Sequence, residues 1–303
     1  MKGTRHSRAG GNPAVVVLAL LLSGCTVKSI ALRTAGSLIE KGTEAFYEET
    51  DLRLARESMG SQIKIVEALL KSDPKNRSLL LAASQGYGAY AFLFLETEDP
   101  ERAKIFYERG RNYGLKALAG RLASSRASGK WVPADLLAEP DLVGFRKALS
   151  GLGAKDAAAA FWTAYSWGGL ANLSRDNPDA IAWLPKVEAL MMKANELSPG
   201  FFYGGADIFL GAYYGSRPKM FGGDLQKSKL YFDRAVKAAD GKFLMAQVLY
   251  AEHYAVPAQD KELFKQLLEK ALKAPDELKE QGLSNAAARI RAKKLMEKID
   301  EIF

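Results

Sequence analysis

One cysteine and two histidines among 303 residues leave little material for nucleophilic or metal chemistry. Cys25 is the sole thiol, so no internal disulfide forms and the fold has to rest on its core. G-x-S-x-G, P-loop and H-E-x-x-H patterns are all missing, and no cofactor motif takes their place. Scarce His and Cys argue in the same way against a transition-metal site. His253 lies in a helical pattern between Leu249 and Pro257, where a lone histidine is more often a surface or core residue than a base. Asp and Glu are plentiful, but nothing in the sequence pairs two of them as a glycosidase requires. The chain therefore reads as a non-enzyme. A concentrated basic block is also missing, which removes nucleic acid from the partners. The net charge of +8 falls to +5 once Lys2, Arg5 and Arg8 are set aside, leaving 40 basic residues against 35 acidic ones spread along the chain.

What is present begins with a leader. Lys2, Arg5 and Arg8 precede the apolar run Ala14 to Leu22, which is too short to span a bilayer. Leu22-Ser23-Gly24-Cys25 closes it. This is the layout of a secretory signal, residues 1–24, ending in a bacterial lipobox whose Cys25 is lipidated and becomes the new N-terminus. Thr26 stands where Asp would hold the chain at the inner membrane, so the outer membrane is favoured. No later stretch reads as a membrane span. Residues 25–303 are expected to form a single periplasmic domain.

Helical patterning dominates from Val27 onward, and no alternating run flanked by turns announces a strand. Small–large–small triplets spaced as on the second helix of tetratricopeptide repeats recur at Ser61/Ile65/Ala68, Ala103/Tyr107/Gly110, Val187/Met191/Ala194, Ser228/Phe232/Ala235 and Phe264/Leu268/Ala271. A further copy, Phe145/Leu149/Leu152, falls in the double gap between the second and third. Leu80/Ala83/Tyr87 and Asp207/Leu210/Gly211/Tyr214 fit the first helix of such a pair. The expected fold is all-α, an array of five or six degenerate TPR-like helix hairpins forming an α-α superhelix. Ser84 to Leu95 is apolar nearly all round and predicts a helix buried on every side or placed at a subunit contact, with Gly86 and Gly88 allowing close approach. Ser124 to Leu142, with isolated Trp131, reads as a long connection.

The most unusual stretch is Gly211-Ala-Tyr-Tyr-Gly-Ser-Arg-Pro-Lys-Met-Phe-Gly-Gly-Asp224. Phe202, Ala206, Phe209 and Tyr213 form an apolar stripe before it, and Leu225 to Ala239 reads as an amphipathic helix after it, N-capped by Asp224. The loop between is longer than a helix pair needs. It is either an elaborate turn or a site. Trp162, Tyr165, Trp167, Trp183, Tyr203, Tyr213 and Tyr214 are either core or the lining of a groove for an apolar ligand or partner segment. Arg217 and Lys219 are placed either to receive a carboxylate or to bond helix C-terminal carbonyls, Asp207 or Asp224.

The same residues carry a family resemblance. Residues 211–224, Leu-Tyr-Phe-Asp-Arg-Ala (230–235), Gln-Gly-Tyr (85–87), Tyr-Glu-Arg-Gly-Arg-Asn-Tyr-Gly-Leu-Lys-Ala-Leu (107–118) and Pro-Lys-Val-Glu-Ala-Leu-Met (185–191) closely resemble the T component of TRAP-associated transporters (TatT). The resemblance implies a lipid-anchored periplasmic protein of cryptic TPR-like repeats, assembling as a trimer with a pore through each protomer. It implies pairing with the periplasmic solute-binding protein of a tripartite ATP-independent transporter and passage of a hydrophobic or carboxylate ligand. The family brings no catalytic residue. The candidates are Cys25 for lipidation and, for ligand, pore or partner, Trp162, Trp167, Tyr203, Asp207, Tyr213, Tyr214, Ser216, Arg217, Pro218, Lys219 and Met220. The competing reading is an outer-membrane lipoprotein scaffold that recruits envelope-assembly machinery through its repeats.

Overall fold

A computed structural model describes residues 41–122 and 142–303. The leader, Cys25 and the connection through Trp131 lie outside the described residues. Residues 43–48 are helical. They are followed by α1 (Leu52–Ser72), α2 (Arg77–Tyr90), α3 (Pro100–Leu122), α4 (Leu142–Leu149), α5 (Ala157–Leu173) and α6 (Pro178–Leu197). Then come α7 (Phe201–Gly215), α8 (Leu225–Ala238), α9 (Leu244–Tyr250), α10 (Lys261–Lys273), α11 (Gly282–Glu297) and the short α12 (Ile299–Ile302). No strand occurs among the described residues; the chain is all-α as expected.

Short polar residues set the helix starts. Asp51 accepts from the backbone N–H groups of Arg53 and Leu54, Asn76 from Leu79, Asn177 from Asp179, Asp224 from Lys227 and Asp260 from Leu263. Each satisfies a donor the helix itself leaves open, worth about 1 kcal/mol. Between the caps, apolar spacing decides which face turns inward. Phe232 and Ala235 on α8, and Phe264, Leu268 and Ala271 on α10, are completely buried, as their triplets require. The triplet on α1 is the exception. Ile65 is 59% exposed, with Ser61 and Ala68 beside it in solvent, while Met59, Ile63 and Val66 form the buried face. Both triplets fit a helix pattern, and the choice falls to the larger apolar stripe Ala55/Met59/Ile63/Val66/Leu70.

Consecutive helices pack on one another: α1 on α2, α2 on α3, α5 on α6, α7 on α8 and α9 on α10. The apolar helix α2 also contacts α5. Together with the turn after it, α2 is long and apolar enough to cross a membrane by composition, yet most of it is buried within the protein. Glycine makes the close packing possible: a Cβ at Gly88 or Gly110 would come within 2.7 or 2.6 Å of the Ser166 hydroxyl on α5. The array then returns to its start. Leu283 of α11 packs in the same core as Tyr47 and Met59, and a Cβ on Gly282 would lie 2.7 Å from the carbonyl oxygen of Glu48.

Three backbone irregularities face the middle of this arrangement. Two helices end in π-helical turns, Ala91–Leu95 after α2 and Ala251–Ala255 after α9. In each the closing bond spans five residues, Glu96 N–H to Ala91 C=O and Val256 N–H to Ala251 C=O. The extra residue per turn rotates the downstream side chains about the helix axis, and such turns are frequent at functional sites. The third irregularity lies at the start of α7, where Phe202, Tyr203 and Gly204 hold φ of 48°, 56° and 79°. The stripe beginning at Phe202 is thus not one regular helix. The left-handed step costs roughly 1–3 kcal/mol per non-glycine residue. It sets the Phe202 ring against Tyr47, Trp162 and Phe243.

Candidate functional site

The irregular turns and the faces of α3, α5, α7, α9 and α11 surround a cavity of about 720 Å³. That is within the usual range for small-molecule sites, roughly 300–1,000 Å³. Its lining falls into two connected groups. One is aromatic: Phe161, Trp162 and Phe202 touch one another, and Phe202 continues to Tyr47 and Phe243. The left-handed turn is what brings Phe202 to the centre of this group.

The other group is polar. Arg291 of α11 donates two hydrogen bonds to Glu252, at 2.8 and 2.9 Å, and lies over the ring of Phe92. Glu96 comes directly after the first π turn and accepts a long bond, 3.4 Å, from the Tyr107 hydroxyl. The Ser216 hydroxyl meets His253 Nδ1 at 2.9 Å. Arg217 donates to the carbonyl of Tyr213 at 2.7 Å and places its guanidinium 3.5 Å from the centroid of that residue's ring. Arg175 is held by the Asn172 side chain and carbonyl. Neither Arg175 nor Arg217 takes part in an ion pair among the described residues. The exposed residues Ile181, Pro218 and Phe221 also line the cavity and mark its mouth.

Burial sorts the charges in this polar group. It pushes the Glu96 carboxyl up to about 7, although Arg291 pulls the other way. Burial would raise Glu252 as well, but Arg291 outweighs it and holds that carboxylate below its ordinary value. Burial lowers His253, so its imidazole is neutral at pH 7. Two carboxylates that the sequence does not pair thus share one cavity. Glu252 is spent on Arg291, and Glu96 is the one that changes protonation near neutrality.

The structure divides the sequence candidates. Trp162, Tyr213, Ser216, Arg217 and Pro218 line the cavity. Lys219 and Met220 lie just outside its mouth in solvent. The remaining four are outside the wall. Trp167 is fully buried between Phe145 and Trp183, and Tyr203 stacks on Phe243. Asp207 accepts from Asn195 and pairs with Arg234, while Tyr214 bonds Glu188 and stacks on Tyr231. Sequence reasoning misses Glu96, Arg175, Glu252, His253 and Arg291 as site residues. The only sequence trace of Glu96 is a lone acid closing the apolar run Ala91–Leu95; the histidine is visible but has no partner in the sequence.

The fold and cavity define an all-helical protein organised around an internal, ligand-sized, amphipathic space. The family model for the TRAP transporter T-component matches residues 48–303, and the chain belongs to that family. It is therefore an accessory component of a TRAP transport system. An uncharacterized protein of Treponema pallidum (strain Nichols) is 24% identical over 279 residues, an alignment that covers 84% of each chain.

Proposed function

We propose that the chain is a lipid-anchored periplasmic protein that docks with the solute-binding protein of its TRAP system. In this reading the cavity takes up a hydrophobic solute or one ending in a carboxylate. The cavity is the observation that carries it. Its aromatic group suits an apolar body, and the guanidiniums of Arg175 and Arg217, which enter no ion pair among the described residues, stand at the polar end to meet an anionic head. The helix hairpins are read as degenerate TPR-like repeats in a superhelix, the oligomer as a trimer by resemblance, and the membrane as the outer one from Thr26. A scaffold for envelope assembly would not need such a space.

The test is calorimetric titration of the chain with the periplasmic solute-binding protein of its TRAP system. Saturable binding at about 1 μM or tighter supports the reading. No binding, with or without apolar carboxylates present, moves the assignment to the scaffold.

A further inference from the structure

Beside the cavity mouth, the loop from Ser216 to Asp224 carries the most exposed apolar side chain of its size among the described residues. Met220 is 82% exposed and its neighbour Phe221 58%. Both belong to a single 3₁₀ turn, Lys219–Phe221. Nothing about that turn is loose. Phe221 and Gly223 both donate to the Pro218 carbonyl, at 2.9 and 3.1 Å, and Asp224 donates to Tyr214 at 3.0 Å. Arg217 fastens the other side to Tyr213. Gly222 takes φ +83°, and a Cβ on Gly223 would overlap the Arg217 carbonyl, so glycine is required at both. A turn so firmly held, with its two largest apolar side chains outward, exposes them by construction.

We propose that this loop is a membrane-contact element, which seats the mouth of the cavity on a bilayer containing anionic phospholipid. Charge supports that occupant. Arg217 and Lys219 flank the apolar tip in the loop, Arg175 lines the same cavity as Phe221, and none of the three enters an ion pair among the described residues, while Asp224 is engaged as the N-cap of α8. Apolar side chains set among cations are the makeup of interfacial anchors. Size supports it as well. A stable protein interface buries about 800 Å² per partner, more than one turn supplies. Two inserted side chains need only be the second contact of a chain already held by a lipid, and so need not supply the whole affinity. The lipid expected on Cys25 is the first.

The position of the tip gives the contact a consequence. Ile181, Pro218 and Phe221 both face outward and line the cavity, so a seated mouth lets an apolar solute pass between bilayer and cavity without crossing water. That consequence rests on the solute uptake proposed above; the membrane contact takes from that reading only the lipid anchor.

The experiment uses the mature lipidated chain with Met220→Cys, whose new thiol is the only free one, labelled with an environment-sensitive fluorophore and reconstituted in vesicles. A second preparation carries the label at Ile65→Cys on α1. In phosphatidylethanolamine–phosphatidylglycerol vesicles, spin-labelled lipid is expected to quench position 220 at least about twofold more than position 65. Lys219→Ala should shift the seated-to-free ratio about fivefold toward free, the effect of one cation at an anionic surface. Equal quenching at the two positions overturns the proposal. So does a label at 220 that responds to the solute-binding protein and not to lipid. Uptake of an apolar dye by the detergent-solubilised chain reads the cavity separately. Dye uptake without lipid quenching removes the membrane contact and leaves the cavity reading standing; quenching without uptake does the reverse.

Discussion

Arg291 binds Glu252 through two hydrogen bonds, 2.8 and 2.9 Å, and that one pair ties α11 to the π turn after α9. The same guanidinium lies 5.6 Å from the ring of Phe92, in the π turn after α2. Both side chains of the pair are less than a third exposed. Removing one partner leaves a charge facing a largely apolar wall, so Arg291→Met is expected to destabilise the chain by about 3 kcal/mol. The double variant Arg291→Met with Glu252→Gln should recover most of that loss. Urea midpoints at pH 7 of the parent, the two single variants and the double variant make the comparison. If Arg291→Met and the double variant unfold alike, the pair does not hold the turn.

Glu96 gives the stability a pH dependence of definite sign. Its folded-state value is raised to about 7, so the folded protein binds this proton more tightly than the unfolded chain does. The stabilisation is complete below the ordinary carboxylate range and fades as pH rises through 7. Glu96→Gln should therefore leave stability almost unchanged at pH 5. At pH 8 it should raise it by on the order of 2 kcal/mol, less than the full linkage value because the cavity admits water. Melting temperatures across pH 5–8 test this. Parallel curves for the two proteins would show that Glu96 does not carry the dependence.

Two glycines make opposite predictions from the same substitution. A Cβ at Gly215 would overlap the backbone carbonyl of His253, where α7 meets the second π turn. Gly215→Ala has to move one of them, at a cost of about 1–3 kcal/mol. Gly60 lies within α1 and a Cβ there would meet nothing within 4 Å. Gly60→Ala should stabilise by about 0.5–1 kcal/mol, because alanine loses less freedom in a helix. Differential scanning calorimetry of both variants should show shifts of opposite direction.

Much of the fold is legible in the sequence because helix periodicity and capping are local. Asp224 can be assigned as a cap, and Phe232 and Phe264 as core, from their neighbours alone. The triplet at Ser61 fails because Ile65 and Ile63 offer alternative faces of one helix, and only the packing partner chooses between them. The site is legible in part. Ser216, Arg217 and Pro218 stand out as loop chemistry, whereas Glu96, Glu252 and Arg291 come from segments far apart in the chain. They meet only because two π turns each add a residue and because α11 returns to α1. No spacing rule encodes that closure. The left-handed step at Phe202 and Tyr203 is equally hidden, since neither residue type favours positive φ.

Arg217 separates a carboxylate-ended solute from a merely apolar one. Burial lowers its guanidinium value, but an arginine remains charged throughout the physiological range. It stands at the mouth, bonded to the Tyr213 carbonyl and set over that ring, and enters no ion pair among the described residues. A ligand carboxylate would gain charge-assisted bonds from it, so Arg217→Ala should weaken binding of an apolar monocarboxylate about tenfold. Binding of the matching primary amide should change little. Arg217→Lys keeps the charge without the fork or the ring contact, and should fall between the two. Fluorescence titrations of both probes against the three proteins decide the matter. A loss for the carboxylate alone assigns Arg217 to the ligand head. An equal loss for both probes assigns it to holding the loop against Tyr213, and the anionic end of the cavity then has to be sought at Arg175.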